Sequence, residues 1–174
     1  MTDAALVVAL ANAQAPRRPT HARAAMSHDA LANAASASTL LEPFVDGPID
    51  ARELPALRAL QRAVLAIVDA LIDGSKPRLG LNALAAREPV IYALERRADG
   101  TLHATLRPTH ASAAATLVVA AIRELSELEP SRLRRCARPE CTLVFYDTTR
   151  SATQRWHADR PCGLRERLRR HRTR

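Results

Sequence analysis

The stretch that decides the fold of the C-terminal region reads CARPECTLVFYDTTRSATQRWHADRPC over residues 136–162. It places Cys136 and Cys141 in one close pair and His157 and Cys162 in another, with 15 residues between the pairs. Zinc prefers about four thiolate or imidazole ligands in a tetrahedron, and two close pairs joined by a short turn let a short chain enclose one ion. We therefore predict one structural zinc ion per chain, held by these four side chains.

Other uses of the cysteines fit the sequence less well. The chain has three cysteines, so a disulfide between Cys136 and Cys141 would leave Cys162 unpaired, and buried inert thiols would not explain the paired spacing. The fourth ligand stays open at this point, because His171 is an alternative to His157. Four protein ligands close the coordination shell, whereas catalytic zinc usually keeps one position for water. We therefore expect a structural ion rather than a reaction centre.

The rest of the chain contains no recognisable set of catalytic residues, so we expect no enzymatic activity. Asp69 and Asp73 are four residues apart in a helical pattern, and they are interpreted as the solvated end of that helix. Asp147 has no partner in the sequence that would make it a general base. Residues 1–130 contain no glycine-rich phosphate loop and no nucleophile elbow.

The residues around the metal ligands predict a small finger made of a cysteine turn, a β-hairpin and a helix, which is a treble-clef-like order. Thr142–Asp147 is a strand pattern, Thr148–Gln154 turns back, and Arg155–His157 returns toward the ion. A helix begins after Cys162-Gly163. The aromatic residues of this segment are expected to form its small core around the ion: Phe145, Tyr146 and Trp156.

Arginine dominates the final helix. We predict that its less polar edge packs on the finger, and this edge consists of Leu164, Leu168 and His171. The adjacent stripe is the predicted nucleic-acid contact, consisting of Arg165, Arg167, Arg169, Arg170 and Arg172, extended by Arg174.

The charge of the chain is concentrated in the same segment. Residues 131–174 hold 13 arginines and 4 acidic residues, a net charge of +9, whereas residues 1–130 hold 13 basic and 14 acidic residues. A basic region beside a neutral one indicates a polyanionic partner, and DNA is the first candidate. The alternative is a zinc-stabilised protein–protein interaction module that binds an acidic partner in the transcription machinery.

Residues 1–130 predict a mostly helical domain with one hairpin, followed by the finger at 131–174, so the fold class is mainly α with a β-hairpin (α+β). Asp99-Gly100 between two β-compatible runs is a strong hairpin signal. The predicted helices and strands are Ala4–Ala13, His28–Leu41, Leu54–Leu71 with a stop at Asp73-Gly74, Leu79–Arg87, the strands Val90–Arg97 and Thr101–Arg107, and His110–Leu128.

Nothing in the sequence predicts a membrane protein. No apolar run approaches the length of about 18 residues that a membrane span needs. The apolar stretch Ala4–Ala13 follows Asp3 and no basic residue, which is the wrong polarity for a secretion signal. We expect a cytoplasmic protein, and its high arginine and alanine content is typical of a GC-rich bacterial genome.

The motifs of the finger resemble those of the bacterial CGNR zinc-finger proteins, a family described as stress-induced transcription regulators. The resemblance rests on segments 132–141 and 145–149, on Arg155-Trp156 and on Cys162-Gly163-x-Arg165. Leu81-Asn82-Ala83-Leu84 and the helix before it resemble the family's N-terminal ABATE-like domain. The resemblance implies DNA-binding transcriptional regulation, with a small-molecule ligand or protein partner sensed by the N-terminal domain, and it leaves a homodimer open.

Two positions depart from the family pattern. The family usually has cysteine after the tryptophan, where this chain has His157, and the asparagine of the Cys-Gly-Asn-Arg signature is replaced by Leu164. Zinc accepts imidazole readily, so a Cys3His site is the simplest outcome. The second replacement removes a polar group beside the site.

Overall fold

The computed structural model describes residues 4–14, 29–110 and 112–172, and within these ranges the architecture is α+β. It contains two antiparallel hairpins, one in the N-terminal region and one in the finger. The helices are α1 (Ala5–Ala11), α2 (Ala34–Leu41), α3 (Leu54–Ile72), α4 (Gly80–Ala85), α5 (Ala113–Glu127) and α6 (Leu164–Arg172). The strands are β1 (Val90–Arg96), β2 (Leu102–Pro108), β3 (Leu133–Arg135) and β4 (Val144–Tyr146).

Helix α3 lies at the centre of the N-terminal region and contacts α1, α4 and α5. Its apolar residues recur every three or four positions, which places them on one face of a helix. The members of this face are fully buried: Leu57, Leu60, Val64 and Val68. The helix ends at Ile72 with Asp73 as its C-cap, and Gly74 follows with φ +66°, a left-handed conformation that glycine adopts without strain. The predicted helix and its glycine stop are confirmed.

Two other helices begin later than the periodicity predicts, because a capping side chain sets each start. Helix α2 begins at Ala34, where the Asn33 side chain accepts a hydrogen bond from the Ser36 N–H, and residues 29–33 precede it without helical structure. Helix α5 begins at Ala113 for the same reason, with Ser112 as the cap. The predicted start of the first of these helices, at His28, lies outside the described residues. Helices α1 and α4 match their predicted positions, although each is shorter.

The hairpin of β1 and β2 is confirmed. Residue Val90 pairs with Pro108 at one end and Arg96 with Leu102 at the other. In the turn, Asp99 accepts hydrogen bonds from the Thr101 N–H and hydroxyl. Gly100 has φ +85°, so the Asp-Gly signal acts through a backbone conformation that favours glycine.

The finger is packed directly against the N-terminal helices. Its short strands β3 and β4 pair antiparallel, and Leu133 and Val144 from these strands belong to the same buried core as α1 and α3. The Asn12 side chain donates to the Val144 carbonyl and accepts from its N–H, both at 2.9 Å. Arg135 forms a salt bridge of 2.6 Å with Asp69. The boundary at residue 130 stays a prediction, and in this structure the two sides of it share one core.

The pairing of β3 with β4 corrects the predicted finger. The strand within Thr142–Asp147 is present, but its partner precedes the cysteine turn instead of following it. Arg155–His157 forms no strand, although the Arg155 carbonyl accepts a hydrogen bond from the Ala137 N–H. Asp69 also differs from its predicted role, because it bonds to the finger rather than only to solvent.

None of the helices in the described ranges is both long enough and apolar enough to cross a lipid bilayer.

Candidate metal centre and the arginine helix

Backbone hydrogen bonds hold the two cysteines of the first pair in place. The Cys136 N–H donates to the Leu143 carbonyl at 2.9 Å, which continues the β3–β4 ladder into the turn. The Cys141 N–H donates to the Arg138 carbonyl at 2.9 Å and closes that turn. The local chain therefore fixes the backbone at both cysteines.

The predicted ligands converge on one point. One ligand atom from each of Cys136, Cys141, His157 and Cys162 can be chosen so that all four lie within 4.8 Å of one another. The His157 Nδ1 atom lies 3.4 Å from the Cys141 sulphur and 3.6 Å from the Cys162 sulphur. In a tetrahedral site with Zn–S near 2.3 Å and Zn–N near 2.0 Å, a sulphur and a nitrogen are separated by about 3.5 Å. The geometry therefore fits a zinc ion, and the four residues are positioned to bind one.

The fourth ligand is settled by position. His171 lies on the exposed surface near the end of α6 and is absent from the cluster, whereas His157 is half-buried beside two of the thiols. The replacement of the family's usual cysteine by His157 therefore keeps a metal-binding donor in the site.

Burial shifts the pKa values of the predicted metal ligands. Burial raises the pKa of the Cys141 thiol to about 12 and also raises the pKa of Cys162. Burial lowers the pKa of His157, so its imidazole is neutral, which is the form that binds metals. Zinc, when bound, supplies the positive charge that stabilises buried thiolates. The same four residues would leave the ion no open position for substrate, so its contribution is to folding.

Asp147 organises the loop that carries the chain from β4 back to the metal ligands. Its carboxylate is fully buried and accepts hydrogen bonds from the Thr149 N–H at 3.0 Å, from the Thr149 hydroxyl and from the Gln154 N–H at 2.7 Å. Burial alone would raise its pKa, but these hydrogen bonds outweigh that effect and hold the pKa below its ordinary value. These donors fix the loop and do not form the acid–base pair that the sequence also fails to indicate, so the role of Asp147 here is structural. The spacing Asp147-x-Thr149 is a local turn signal that could have indicated it.

Trp156 lies between the metal ligands and α6. The guanidinium groups of Arg155 and Arg167 lie 5.5 and 5.9 Å from its ring centroid. Arg167 also binds Asp159 through two hydrogen bonds of 2.8 and 3.1 Å. Gly163 fits beneath this arrangement, because a Cβ atom there would lie 2.5 Å from the Asp159 Oδ1 atom and 3.1 Å from the Trp156 ring. The Cys-Gly pair thus provides a ligand and the space next to it.

The other two aromatic residues divide between the finger and the helical core. Phe145 is buried, and Tyr146 packs against the core of the N-terminal helices. The Tyr146 hydroxyl accepts a hydrogen bond of 3.0 Å from the Glu129 N–H. The expected aromatic core around the ion is therefore only partly formed, because Tyr146 serves the junction.

Helix α6 turns a different face to the finger from the one that its sequence predicts. Leu164, Leu168 and His171 are exposed, whereas Glu166 is only 5% exposed. Glu166 accepts two hydrogen bonds from Arg169, at 2.7 and 3.1 Å, and one from Arg170 at 3.3 Å. The hydrogen bond from Arg169 lowers the pKa of Glu166 to about 2. Ion pairing therefore compensates the burial of this carboxylate, which apolar periodicity cannot predict.

The five predicted nucleic-acid residues from Arg165 to Arg172 lie on α6, whereas Arg174 lies outside the described residues. The five differ in what they contact. Arg167, Arg169 and Arg170 bind carboxylates of the finger itself. Arg165 is half-buried and Arg172 is exposed, and neither forms an ion pair with a residue in the described part of the chain.

A folded segment with a three-cysteine, one-histidine metal centre and a helix after its last ligand is a zinc finger. Comparison with known families agrees, since residues 132–174 match the CGNR zinc finger family. The match covers the finger and does not extend to the helical region before it. No curated protein gives a significant match to the chain.

Proposed function

We propose that this protein is a zinc-dependent DNA-binding transcriptional regulator in which the metal centre orients α6 for contact with nucleic acid. The observation that carries the proposal is the position of α6. The helix begins two residues after the ligand Cys162 and contains five arginines in nine residues. Zinc bound by Cys162 would therefore fix the helix at its N-terminal end, in a segment whose net charge is +9 over residues 131–174.

The ion pairs of α6 divide its arginines into two groups with different roles. Arg165 and Arg172 make no carboxylate contact in the described structure, so we assign them direct phosphate contacts. Arg167, Arg169 and Arg170 are held by Asp159 and Glu166, which orients their side chains along the helix. Phosphate contacts position a protein without reading sequence, so the pattern supports DNA affinity and gives no base preference.

The test uses the full zinc-loaded chain and a fluorescent DNA duplex of about 20 base pairs, with binding followed by anisotropy from about 50 to 200 mM salt. Binding should weaken steeply with salt, and it should be lost when a chelator removes the metal. The double variant Arg165→Ala/Arg172→Ala should reduce the slope of log K against log salt by about 2, since each phosphate contact contributes about 0.9. Arg62→Ala, at an exposed position on α3, is the matched control and should leave the slope unchanged.

Two results would sink this assignment. One is the absence of binding to the duplex at the lowest salt concentration. The other is a double variant that binds as tightly and with the same salt dependence as the wild type.

The second candidate function is a zinc-stabilised module that binds an acidic partner in the transcription machinery. The observation that favours it is that three arginines of α6 already bind carboxylates, with Arg167 bidentate on Asp159 and Arg169 bidentate on Glu166. A chain that binds poly-glutamate but not the DNA duplex, under the same conditions, would favour this function over the first.

The wider proposal concerns the helical region and the setting of the protein. The CGNR family match of the finger, together with the resemblance of segment 81–84 and the helix before it to an ABATE-like domain, supports a cytoplasmic regulator of a stress response. In this proposal residues 1–130 sense a small-molecule ligand or a protein partner, the finger is treble-clef-like, and the protein catalyses no reaction. A folded, zinc-loaded full chain that loses its DNA affinity through a substitution on the exposed surface of residues 1–130, with no ligand present, would argue against that division of labour.

A further inference from the structure

One face of the β1–β2 hairpin is apolar and exposed. The register places on that face Val90, Tyr92, Leu94, Leu102, Ala104 and Leu106. Tyr92 is 82% exposed, Leu94 is 70% exposed and Leu102 is 61% exposed. Large apolar side chains that are this open, next to one another on a single face, are unusual on a protein that acts alone.

The opposite face of the same hairpin is mostly polar. Glu95 forms ion pairs there with Arg107 and His103. Ile91 is the exception, since it is a large apolar side chain that is 54% exposed on this polar face. The two faces therefore differ in chemistry, and only one of them is suited to an apolar partner.

The apolar face has too little support from the rest of the chain. At its base it borders an open cleft of about 1040 Å³ between the hairpin and α5, and beyond that cleft no layer from the described part of the chain covers the strands. A two-stranded hairpin is only marginally stable by itself and usually needs another strand or a packed layer. The exposed fractions of these side chains correspond to a patch on the order of 500 Å² on one protomer, which is the size of the largest patch on a typical monomer, and such patches are often functional.

The two ends of the face carry one pair of opposite charges, Arg96 at the tip and Glu88 at the base, and Arg107 and Arg123 also line the cleft at the base. Arg96 extends from the apolar face at the tip of the hairpin, and Glu88 lines the cleft at its base, where it forms a salt bridge of 3.2 Å with His110. Each strand has seven residues, so tip and base are separated by about 20 Å. Two copies can pack face to face about a two-fold axis that lies between the faces and is perpendicular to the strands. In that arrangement the tip of each hairpin meets the base of the other.

We propose that this face is a homodimer interface, in which two copies pack their hairpins antiparallel. Tyr92, Leu94 and Leu102 of each copy cover the apolar face of the other, and Arg96 pairs with Glu88 of the partner subunit. The two patches together bury about 1,000 Å², which reaches the lower limit of a specific interface. The same patch serves both subunits, as a closed two-fold dimer requires. The proposal does not depend on DNA binding.

The test measures the mass of the full zinc-loaded chain by sedimentation equilibrium over a wide concentration range. The wild type should move from the monomer mass of 19.0 kDa toward twice that value as its concentration rises. Leu94→Asp should raise the dimer dissociation constant by at least about tenfold, since a charge there would be buried without a partner. Ile91→Asp introduces the same charge on the opposite face of the same strand, and it should leave dimerisation unchanged.

A charge exchange between Arg96 and Glu88 tests the antiparallel arrangement. Arg96→Glu and Glu88→Arg should each weaken the dimer, and the double variant should restore it. Far-UV circular dichroism and one zinc per chain establish that each variant is folded.

Three outcomes would overturn the proposal. The first is a wild type that stays monomeric at every concentration measured. A monomeric chain that binds a different protein through the cleft would overturn the proposal in the same way. The second is an Ile91→Asp variant that dissociates as readily as Leu94→Asp. The third is a charge-exchanged double variant that is no stronger a dimer than either single variant.

Discussion

The helical region and the finger are stabilised by different means. The helical region buries aliphatic side chains, with Leu57, Leu60 and Val64 of α3 fully enclosed. The finger buries few of them. The two carboxylates that are buried in the described part of the chain, Asp147 and Glu166, both lie in the finger.

This difference follows from size. A segment of about 40 residues cannot bury enough apolar surface to offset its conformational entropy, so it needs a metal or another link. The finger uses a metal centre, charged hydrogen bonds and the Asn12 contact with the neighbouring helix. Buried, hydrogen-bonded carboxylates thus support the finger, whereas the helical region is stabilised mainly by buried aliphatic side chains.

Loss of the metal should have the largest effect, and this effect should be confined to the finger. Cys162→Ser removes a ligand next to α6, and metal binding in zinc-finger segments contributes about 10 kcal/mol or more to folding. We expect loss of the zinc and an altered Trp156 fluorescence, while the helical signal in circular dichroism largely persists. Ser131→Ala, outside the ligand set, is the control. Loss of the helical circular dichroism signal together with the zinc would contradict the claim that the two regions are stabilised by different means.

Leu60→Ala should have the next largest effect, and it acts on the helical region. The side chain is fully buried in α3, so its truncation leaves a cavity and should lower the free energy of unfolding by about 2–5 kcal/mol. Denaturant titration measures this loss. Zinc stoichiometry should remain one per chain, and Leu79→Ala, at an exposed position, should cost little. A zinc content that falls with Leu60→Ala would mean that the metal centre depends on the helical core.

Asp147→Asn should destabilise the finger by about 1–3 kcal/mol, because the amide nitrogen would replace a carboxylate oxygen that accepts from backbone N–H groups. Thermal unfolding of the zinc-loaded chain, followed by Trp156 fluorescence, measures the change. Asp159→Asn is a matched control at an exposed carboxylate and should have a smaller effect on stability. Equal effects of the two variants would contradict the structural role of Asp147.

Gln61→Leu should have the smallest effect and the opposite sign. Gln61 is fully buried in α3, and neither polar atom of its side chain has a hydrogen-bond partner in the described structure. Replacing it with an apolar residue of similar size removes an uncompensated amide and should stabilise the protein by about 1 kcal/mol. Denaturant titration against the wild type measures the gain. A loss of stability would indicate that the amide has a role that the described contacts do not explain.

The parts of the fold that local chemistry determines could be predicted from the sequence. The spacing of apolar residues in α3, the Asp99-Gly100 turn and the paired spacing of the metal ligands each act over a few residues. The helix after Cys162-Gly163 was likewise predicted from its own sequence pattern. These features are confirmed because each has a local physical cause.

The parts that depend on distant contacts were predicted wrongly or missed. Strand β3 is three residues long and is defined only by its pairing with β4, so no periodicity marks it. The inward face of α6 was assigned to Leu164 and Leu168, but the Arg169 and Arg170 side chains make burial of Glu166 favourable. Asn12, which joins α1 to β4, gave no signal because its partner lies 132 residues away.

The most direct test of the account is X-ray absorption at the zinc edge, measured on the purified full chain. The account predicts one zinc per chain with three sulphur ligands near 2.3 Å and one nitrogen ligand near 2.0 Å. In His157→Ala the nitrogen contribution should be lost or the metal affinity reduced. A wild-type spectrum with an oxygen ligand in an open position, or a His157→Ala variant with unchanged coordination and affinity, would contradict the closed Cys3His centre.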